Sequence, residues 1–283
     1  MKKKEEIVRP SNWTILNIKA RKDQTPEHYV NFLERIFQND PMVELGRKHV
    51  ISMKSFAKGP LSQGTTVPKW LEMVFTTYVI VDPDAFYDKR KKEDISLDEW
   101  NNDIVANKRE IYAFFVPDVH VMAVRMSNAA SIKHIERFMI HAAEIFEPEI
   151  FDITIAKSRD TIRRILDSPQ IISLDAQVTF SNPPHTDGFY AAFDTKFRET
   201  DAQKCHIKMQ GTKDKPLQNT NDGLVSAIVS LSELNGEVKA VIIEEEKHVV
   251  INTSQYPQRL RLVSSANDLC VKLRTRLLEL YGI

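Results

Sequence analysis

Ile111-Tyr112-Ala113-Phe114-Phe115-Val116-Pro117-Asp118-Val119-His120-Val121-Met122-Ala123-Val124 is the stretch whose reading decides the fold. Two apolar runs flank Pro117-Asp118, and a proline presets φ for a type I turn, so the stretch predicts two strands joined tightly. Downstream, Ser127 or Ser131 is placed to cap a helix whose Ile132, Ile135, Met139, Ala142 and Phe146 recur at helical spacing. Phe151 to Ile155 then reads as a strand. Ser158 caps a second helix with Ile162, Ile165 and Leu166 inward, Pro169 stops it, and Ile171 to Phe180 returns as strand.

Toward the N-terminus, Trp13 to Ala20 reads as a strand. Thr25-Pro26-Glu27 is a helix start: threonine caps, proline sits where its missing N–H is harmless, and glutamate meets the positive end of the dipole. Strands follow near His49 to Phe56 and Trp70 to Val81. Lys89 to Asp94 is a charge cluster within a long polar stretch, which predicts a flexible linker near 83–108. Toward the C-terminus, Asn182-Pro183-Pro184 breaks the chain, and Phe189, Phe193 and Phe197 line one helix face. Cys205 to Gln210 alternates as a strand. Asp222 to Leu234 is helical until Asn235-Gly236, and Val238 to Ile243 and Val249 to Ile251 form a hairpin around Glu244-Glu245-Glu246. A last helix carries Leu269, Leu273, Leu277 and Leu280. Strands and helices alternate without a repeating unit, which predicts an α+β fold with mixed or antiparallel sheets and packed helices. Two regions are expected, 1–108 and 109–283.

The chain of 283 residues, 42% hydrophobic and 28% charged, is an ordinary globular composition. Its 39 basic residues balance 39 acidic ones, so any attraction to nucleic acid must come from a local patch. Cys205 and Cys270 do not make a disulfide framework, which suits a reducing cytoplasm. Met1-Lys2-Lys3-Lys4 leads into Glu5-Glu6 and not into an apolar segment, so a secretion signal is not expected.

Motifs for chemistry are sparse. With 8 glycines there is no phosphate-cradling GxxxxGK[ST] or GxGxxG, and no CxxC, HExxH or GxSxG. His134 and His141 share a predicted helix, where packing or solvation is the preferred role. Glu237-Val238-Lys239 matches the short half of a restriction-type nuclease pattern, in which carboxylates hold a metal and lysine orients the nucleophile; Asp222 would be the acidic partner. The same alternation suits the exposed face of any hairpin. Lys157, Arg159, Arg163 and Arg164 cluster at the start and along one side of a short helix. Cations there oppose the dipole unless an anion lies between, and a phosphate would satisfy both. Lys89 to Lys92, Arg259 with Arg261, and Lys272, Arg274 and Arg276 are further basic groups. No aromatic residues interleave them, so duplex backbone contact is favoured over base stacking.

Trp13 to Ala20, Thr25-Pro26-Glu27-His28-Tyr29, Phe75-Thr76-Thr77, Asn182-Pro183-Pro184-His185 and Glu237-Val238-Lys239-Ala240 occur in an order that resembles an uncharacterised bacterial family, the domain of unknown function DUF4747. The order of elements from Phe114 to Phe180 is similar, more distantly, to the DNA-binding protein of the lambda Rex superinfection-exclusion system. That likeness implies a dimer that binds duplex DNA without strong sequence preference and acts in anti-phage defence. The resulting expectation is a cytoplasmic, non-catalytic, sequence-tolerant binder of double-stranded DNA. It would need no cofactor or metal, contact phosphates through Lys157, Arg159, Arg163 and Arg164, and work beside a defence-system partner protein. A homodimer seam is expected on the Leu269 to Leu280 or Phe189 stripe. The rival readings are a metal-dependent nuclease using Glu237 and Lys239, and a protein-interaction scaffold.

Overall fold

The computed structural model describes residues 9–20, 24–46, 48–82, 86–95, 105–126, 132–147, 151–179, 188–200, 202, 204–221 and 223–281. The expected caps Ser127 and Ser131, the Asn182-Pro183-Pro184-His185 break, Asp222 and most of 96–108 lie outside or at the margin of these residues.

Strand β1 (Arg9–Ala20) begins ahead of Trp13, because its first half finds a partner strand at the far end of the chain. Helix α1 (Pro26–Asn39) starts where Thr25-Pro26-Glu27 predicts, with Thr25 extended and Pro26 in the first turn. It buries Tyr29, Phe32, Leu33 and Ile36 and ends at Asp40, which is left-handed at φ 41°. β2 (Val43–Gly46), β3 (His49–Lys58) and β4 (Leu71–Val79) follow as antiparallel neighbours. Within the charged stretch, β5 (Phe86–Asp88) pairs with β6 (Glu93–Ile95), and Lys89–Lys92 form the tip. The Asp88 carboxylate accepts the N–H groups of Arg90 (2.7 Å) and Lys91 (3.0 Å), an Asx turn.

β7 (Ala106–Val116) and β8 (Val121–Arg125) are the hairpin of the opening stretch. Pro117–Val119 form one 3-10 turn, closed by His120 in the left-handed region at φ 58°. The chain continues as α2 (Ile132–Phe146), β9 (Phe151–Ile155), α3 (Arg159–Leu166), β10 (Ile171–Val178), α4 (Gly188–Glu199), β11 (Cys205–Gln210), α5 (Leu224–Asn235), β12 (Gly236–Glu244), β13 (Lys247–Asn252), β14 (Arg259–Ser264) and α6 (Leu269–Tyr281). Glu245 and Glu246, at φ 47° and 64°, make the two-residue turn between β12 and β13.

Among the described residues every ladder is antiparallel, as the α+β reading requires. One sheet of eight strands runs in the order β14-β1-β8-β7-β4-β3-β2, with β9 pairing β1 beyond the end of β14. A second sheet runs β11-β10-β12-β13. The large sheet takes strands from both sides of residue 108.

β1 is buried on both faces, which explains its nearly unbroken apolar run. Leu16 and Ile18 join the core under α1 and α2; Trp13 and Ile15 join a separate core under α6, whose Leu273 and Leu277 are fully buried. Leu269, Leu273 and Leu277 of the leucine stripe are thus packed against the chain itself. Phe193 packs on the core of the small sheet and Phe197 is buried, while the Phe189 side chain lies outside the described ones. Further along β1, Asn17 and Lys19 meet the end of α5. The Asn17 amide (3.2 Å) and the Thr154 hydroxyl (2.5 Å) both donate to the Leu234 carbonyl, tying the two sheets together. Gly236 follows immediately, and a Cβ there would collide with the Gln177 carbonyl, so α5 turns directly into β12 only with glycine. Among the described residues no helix is long and apolar enough to cross a membrane.

Candidate functional site

Lys157, Arg159, Arg163 and Arg164 do not form a common cationic face. The Lys157 N–H donates to the Glu233 carbonyl at 2.7 Å, and the residue bridges Pro257. Its side chain, 7% exposed, lines a cleft between the two sheets. Arg159 Nε donates to Glu233 Oε1 at 2.6 Å, and its guanidinium lies 5.6 Å from the centre of the Tyr281 ring. Arg164 grips Glu244 with two prongs, Nε at 2.8 Å and Nη2 at 2.6 Å. Arg163 is exposed and makes no ion pair among the described residues. The partners Glu233 and Glu244 stand 74 and 80 residues along the chain from the arginines they hold, beyond the reach of any local pattern.

The cleft has a volume of about 430 Å³, with Glu136, Asp152, Thr154, Lys157, Thr179 and Glu237 in its walls. Burial pushes the Lys157 amine below its ordinary pKa, and Glu136 and Glu237 pull it back up. Burial pushes the Glu136 carboxyl up, opposed by Lys157 and by the Ile155 N–H it accepts at 3.3 Å. Lys19, fully buried, reaches two residues of this wall. It donates to the Thr179 hydroxyl and to Asn235 Oδ1 at 3.1 Å, and its Nζ lies 3.4 Å from Asp152 Oδ2, which makes no hydrogen bond. Sequence reasoning missed Glu136 and Lys19. The available signal was a lysine inside an otherwise apolar run of β1.

Glu237 and Lys239 do share the outer face of β12, alternating with the fully buried Val238 and Ala240. Their surroundings differ. Glu237 turns to the cleft, whereas Lys239 lies opposite Asp175, whose carboxylate is held by His206 Nε2 (2.6 Å) and Lys208 (3.4 Å). The His206 contact, with Lys208, holds the Asp175 carboxyl below its usual range. Among the described residues no group of three His, Cys, Asp or Glu side chains is placed to hold a metal ion.

A different set of cations lies on strands β14, β1 and β8 of the large sheet, two on each face. β14 is its edge strand. Arg259 and Arg261 alternate with Leu260 and Leu262, which pack under α6, so both arginines project from the opposite face. Arg9 and Arg125 stand on the α6 face: Arg9 opposite Ser264, and Arg125 opposite Trp13 on the other side of β1. All four are exposed, and none makes an ion pair among the described residues. Arg259 with Arg261 was legible as a basic pair. Arg9 and Arg125, far apart in sequence, were not.

The family model of the domain of unknown function DUF4747 matches residues 9–279. The chain belongs to that family. The match starts on the first residue of β1 and ends within α6, so the DUF4747 domain contains the whole large sheet, its arginine edge and the cleft. No curated protein matches the chain. The likeness to the Rex protein finds no support in these comparisons, which leaves the charges of the DUF4747 domain itself to carry a functional reading.

Proposed function

We propose that this DUF4747 protein is a non-catalytic binder of duplex DNA that holds the phosphate backbone, without reading base sequence, along the edge carrying Arg9, Arg125, Arg259 and Arg261. The observation that carries this reading is that four exposed arginines on the neighbouring strands β14, β1 and β8 have no carboxylate partner among the described residues, although the chain holds as many acidic residues as basic ones. Guanidinium forks left open at a surface match phosphate oxygens, and such contacts position a duplex without specifying its sequence. The Lys157 to Arg164 segment supplies at most Arg163, because Arg159 and Arg164 are neutralised and Lys157 is buried. Glu237 and Lys239 share one face of β12, with Glu237 lining the cleft and Lys239 standing opposite Asp175 in the strand register.

Charged side chains on an edge strand also discourage pairing with other chains, which is the competing role for Arg259 and Arg261. Duplex binding measured over a salt series separates the two. With all four arginines changed to alanine, the slope of log K against log salt should fall by about 0.9 for each phosphate no longer neutralised, on every sequence alike and with or without magnesium. An unchanged slope in the folded variant, or increased self-association with no duplex binding in the parent, would leave the arginines as guards of the edge.

A further inference from the structure

On the α6 face of the same edge, Arg9, Ser11, Arg125, Ser264, Ser265 and Leu269 line an open pocket of about 310 Å³. The strand register builds it. Ser264 lies opposite Arg9, and Arg125 lies opposite Trp13 on the other flank of β1, with Ser11 between Arg9 and Trp13 on the same face. Arg9 and Arg125 therefore line the pocket from different strands, and no described carboxylate pairs with either. Asp268, the residue before α6, is 3.8 Å from Lys272.

The hydroxyls sharpen the picture. Ser11 is used in both directions, donating to the Leu262 carbonyl (3.4 Å) and accepting from Trp13 Nε1 (2.9 Å). Ser265, 3% exposed, accepts the Asp268 N–H at 3.3 Å, which leaves its own hydrogen to give. Ser264 is 5% exposed, lines the cavity and has no hydrogen-bond partner among the described residues. The Ser264 hydroxyl is open to the pocket, where a ligand oxygen can accept its hydrogen in place of water, and Arg9 and Arg125 add two exposed positive charges to the same lining. A tetrahedral oxyanion matches that combination of charges and donors.

We propose that this cavity binds a phosphate monoester, whose charge of nearly two near neutral pH is met by Arg9 and Arg125 while Ser264 and Ser265 donate to its oxygens. A monoester comes either free, as in a nucleotide, or as the 5′ end of a nucleic acid. The site shares Arg9 and Arg125 with the proposed DNA-binding edge, and in its second form it rests on that reading.

Calorimetric titration of the intact protein with inorganic phosphate, at ionic strength held constant with chloride, tests the site. A nucleoside 5′-monophosphate and one duplex with and without 5′-phosphates complete the series. Saturable one-site binding of phosphate is expected, weakened at least about tenfold in Arg125→Ala and in Arg9→Ala by removal of a charge-assisted fork, and reduced in Ser264→Ala. Arg276→Ala, on α6 and paired with Glu279, should leave phosphate binding unchanged. Preference for the phosphorylated duplex assigns the site to nucleic-acid ends. Tight nucleotide binding with no preference between duplexes assigns it to free nucleotides. Absence of saturable binding by any phosphate, or binding unaltered in folded Arg9→Ala and Arg125→Ala, overturns the proposal. Duplex binding lost in Arg259→Ala with Arg261→Ala, together with no saturable phosphate or nucleotide binding, would retain the edge and remove the pocket; phosphate binding without duplex binding would do the reverse.

Discussion

The segment Lys157 to Arg164 and the edge formed by β14, β1 and β8 each offer four basic side chains, and the molecule treats them in opposite ways. The α3 segment packs beside α5 and the β12–β13 turn, which bring Glu233 and Glu244 against Arg159 and Arg164, while Lys157 goes inward to Glu136 and Glu237. Beyond β14 there is no further strand among the described residues, and the four arginines there keep no described carboxylate. In the clustered segment Arg159 and Arg164 are paired, Lys157 is buried and only Arg163 is open, whereas all four edge arginines are open, whether close in sequence like Arg259 and Arg261 or far apart like Arg9 and Arg125. Cation density along a chain therefore says little about usable charge. What counts is the charge left after packing has paired it.

The contrast can be broken in three places besides the salt series and the phosphate titrations. The largest effect belongs to Lys19→Met. Removing a fully buried ammonium leaves Asp152, Asn235 and Thr179 facing an apolar side chain, so stability should fall by ~3–5 kcal/mol, as when one partner of a buried ion pair is deleted. Denaturant unfolding at constant slope would measure it, and the variant that still folds should bind duplex as the parent does. A neutral outcome would mean that the junction between the sheets is solvated, like the edge.

A smaller effect is expected from Glu136→Gln. Burial raises the folded pKa of Glu136 above its unfolded value of 4.5, so its protonated form contributes stability below that value, and the contribution is lost as pH rises through the folded pKa. Glutamine holds the neutral form throughout and can still accept the Ile155 N–H. The variant should match the parent near pH 4 and be more stable at pH 7, as read from thermal unfolding across that interval. Equal stability at both values would show that Lys157 fully compensates the carboxylate. The smallest effect is expected for Arg159→Ala combined with Arg164→Ala, whose guanidiniums are already paired. The salt slope of duplex binding should stay where it is. A drop comparable to that of the edge variants would return the phosphate-binding role to α3.

Much of the fold was legible because it depends on near neighbours. Pro117-Asp118 turns the chain in one step, Thr25-Pro26-Glu27 starts α1 at Pro26, and Asn235-Gly236 ends α5 where it was expected. Cys205 to Gln210 is β11 to the residue. The candidate site was legible only in part. The outward faces of Arg259 and Arg261 followed from period-two alternation, and Lys157 and Glu237 were both singled out, though for different roles from the shared cleft they occupy. Arg9 escaped because β1 was read from Trp13. Arg125 escaped because a single arginine closing an apolar strand carries no local signal.

The sequence by itself determined the α+β class, the antiparallel hairpins and the apolar faces of the helices, since turn chemistry, capping and side-chain periodicity act over a few residues. Only the tertiary structure decided which cations remain open. Ser11 and Leu262, 251 residues apart, become neighbours when β14 closes on β1, and the same closure draws Arg9 beside Ser264 and brings Arg125 across from Trp13. Those meetings are fixed by which apolar faces cover one another, α6 over Trp13 and Ile15 and the end of α5 over Asn17 and Lys19. Burial drives that choice without direction, and the charges are carried to wherever it leaves them.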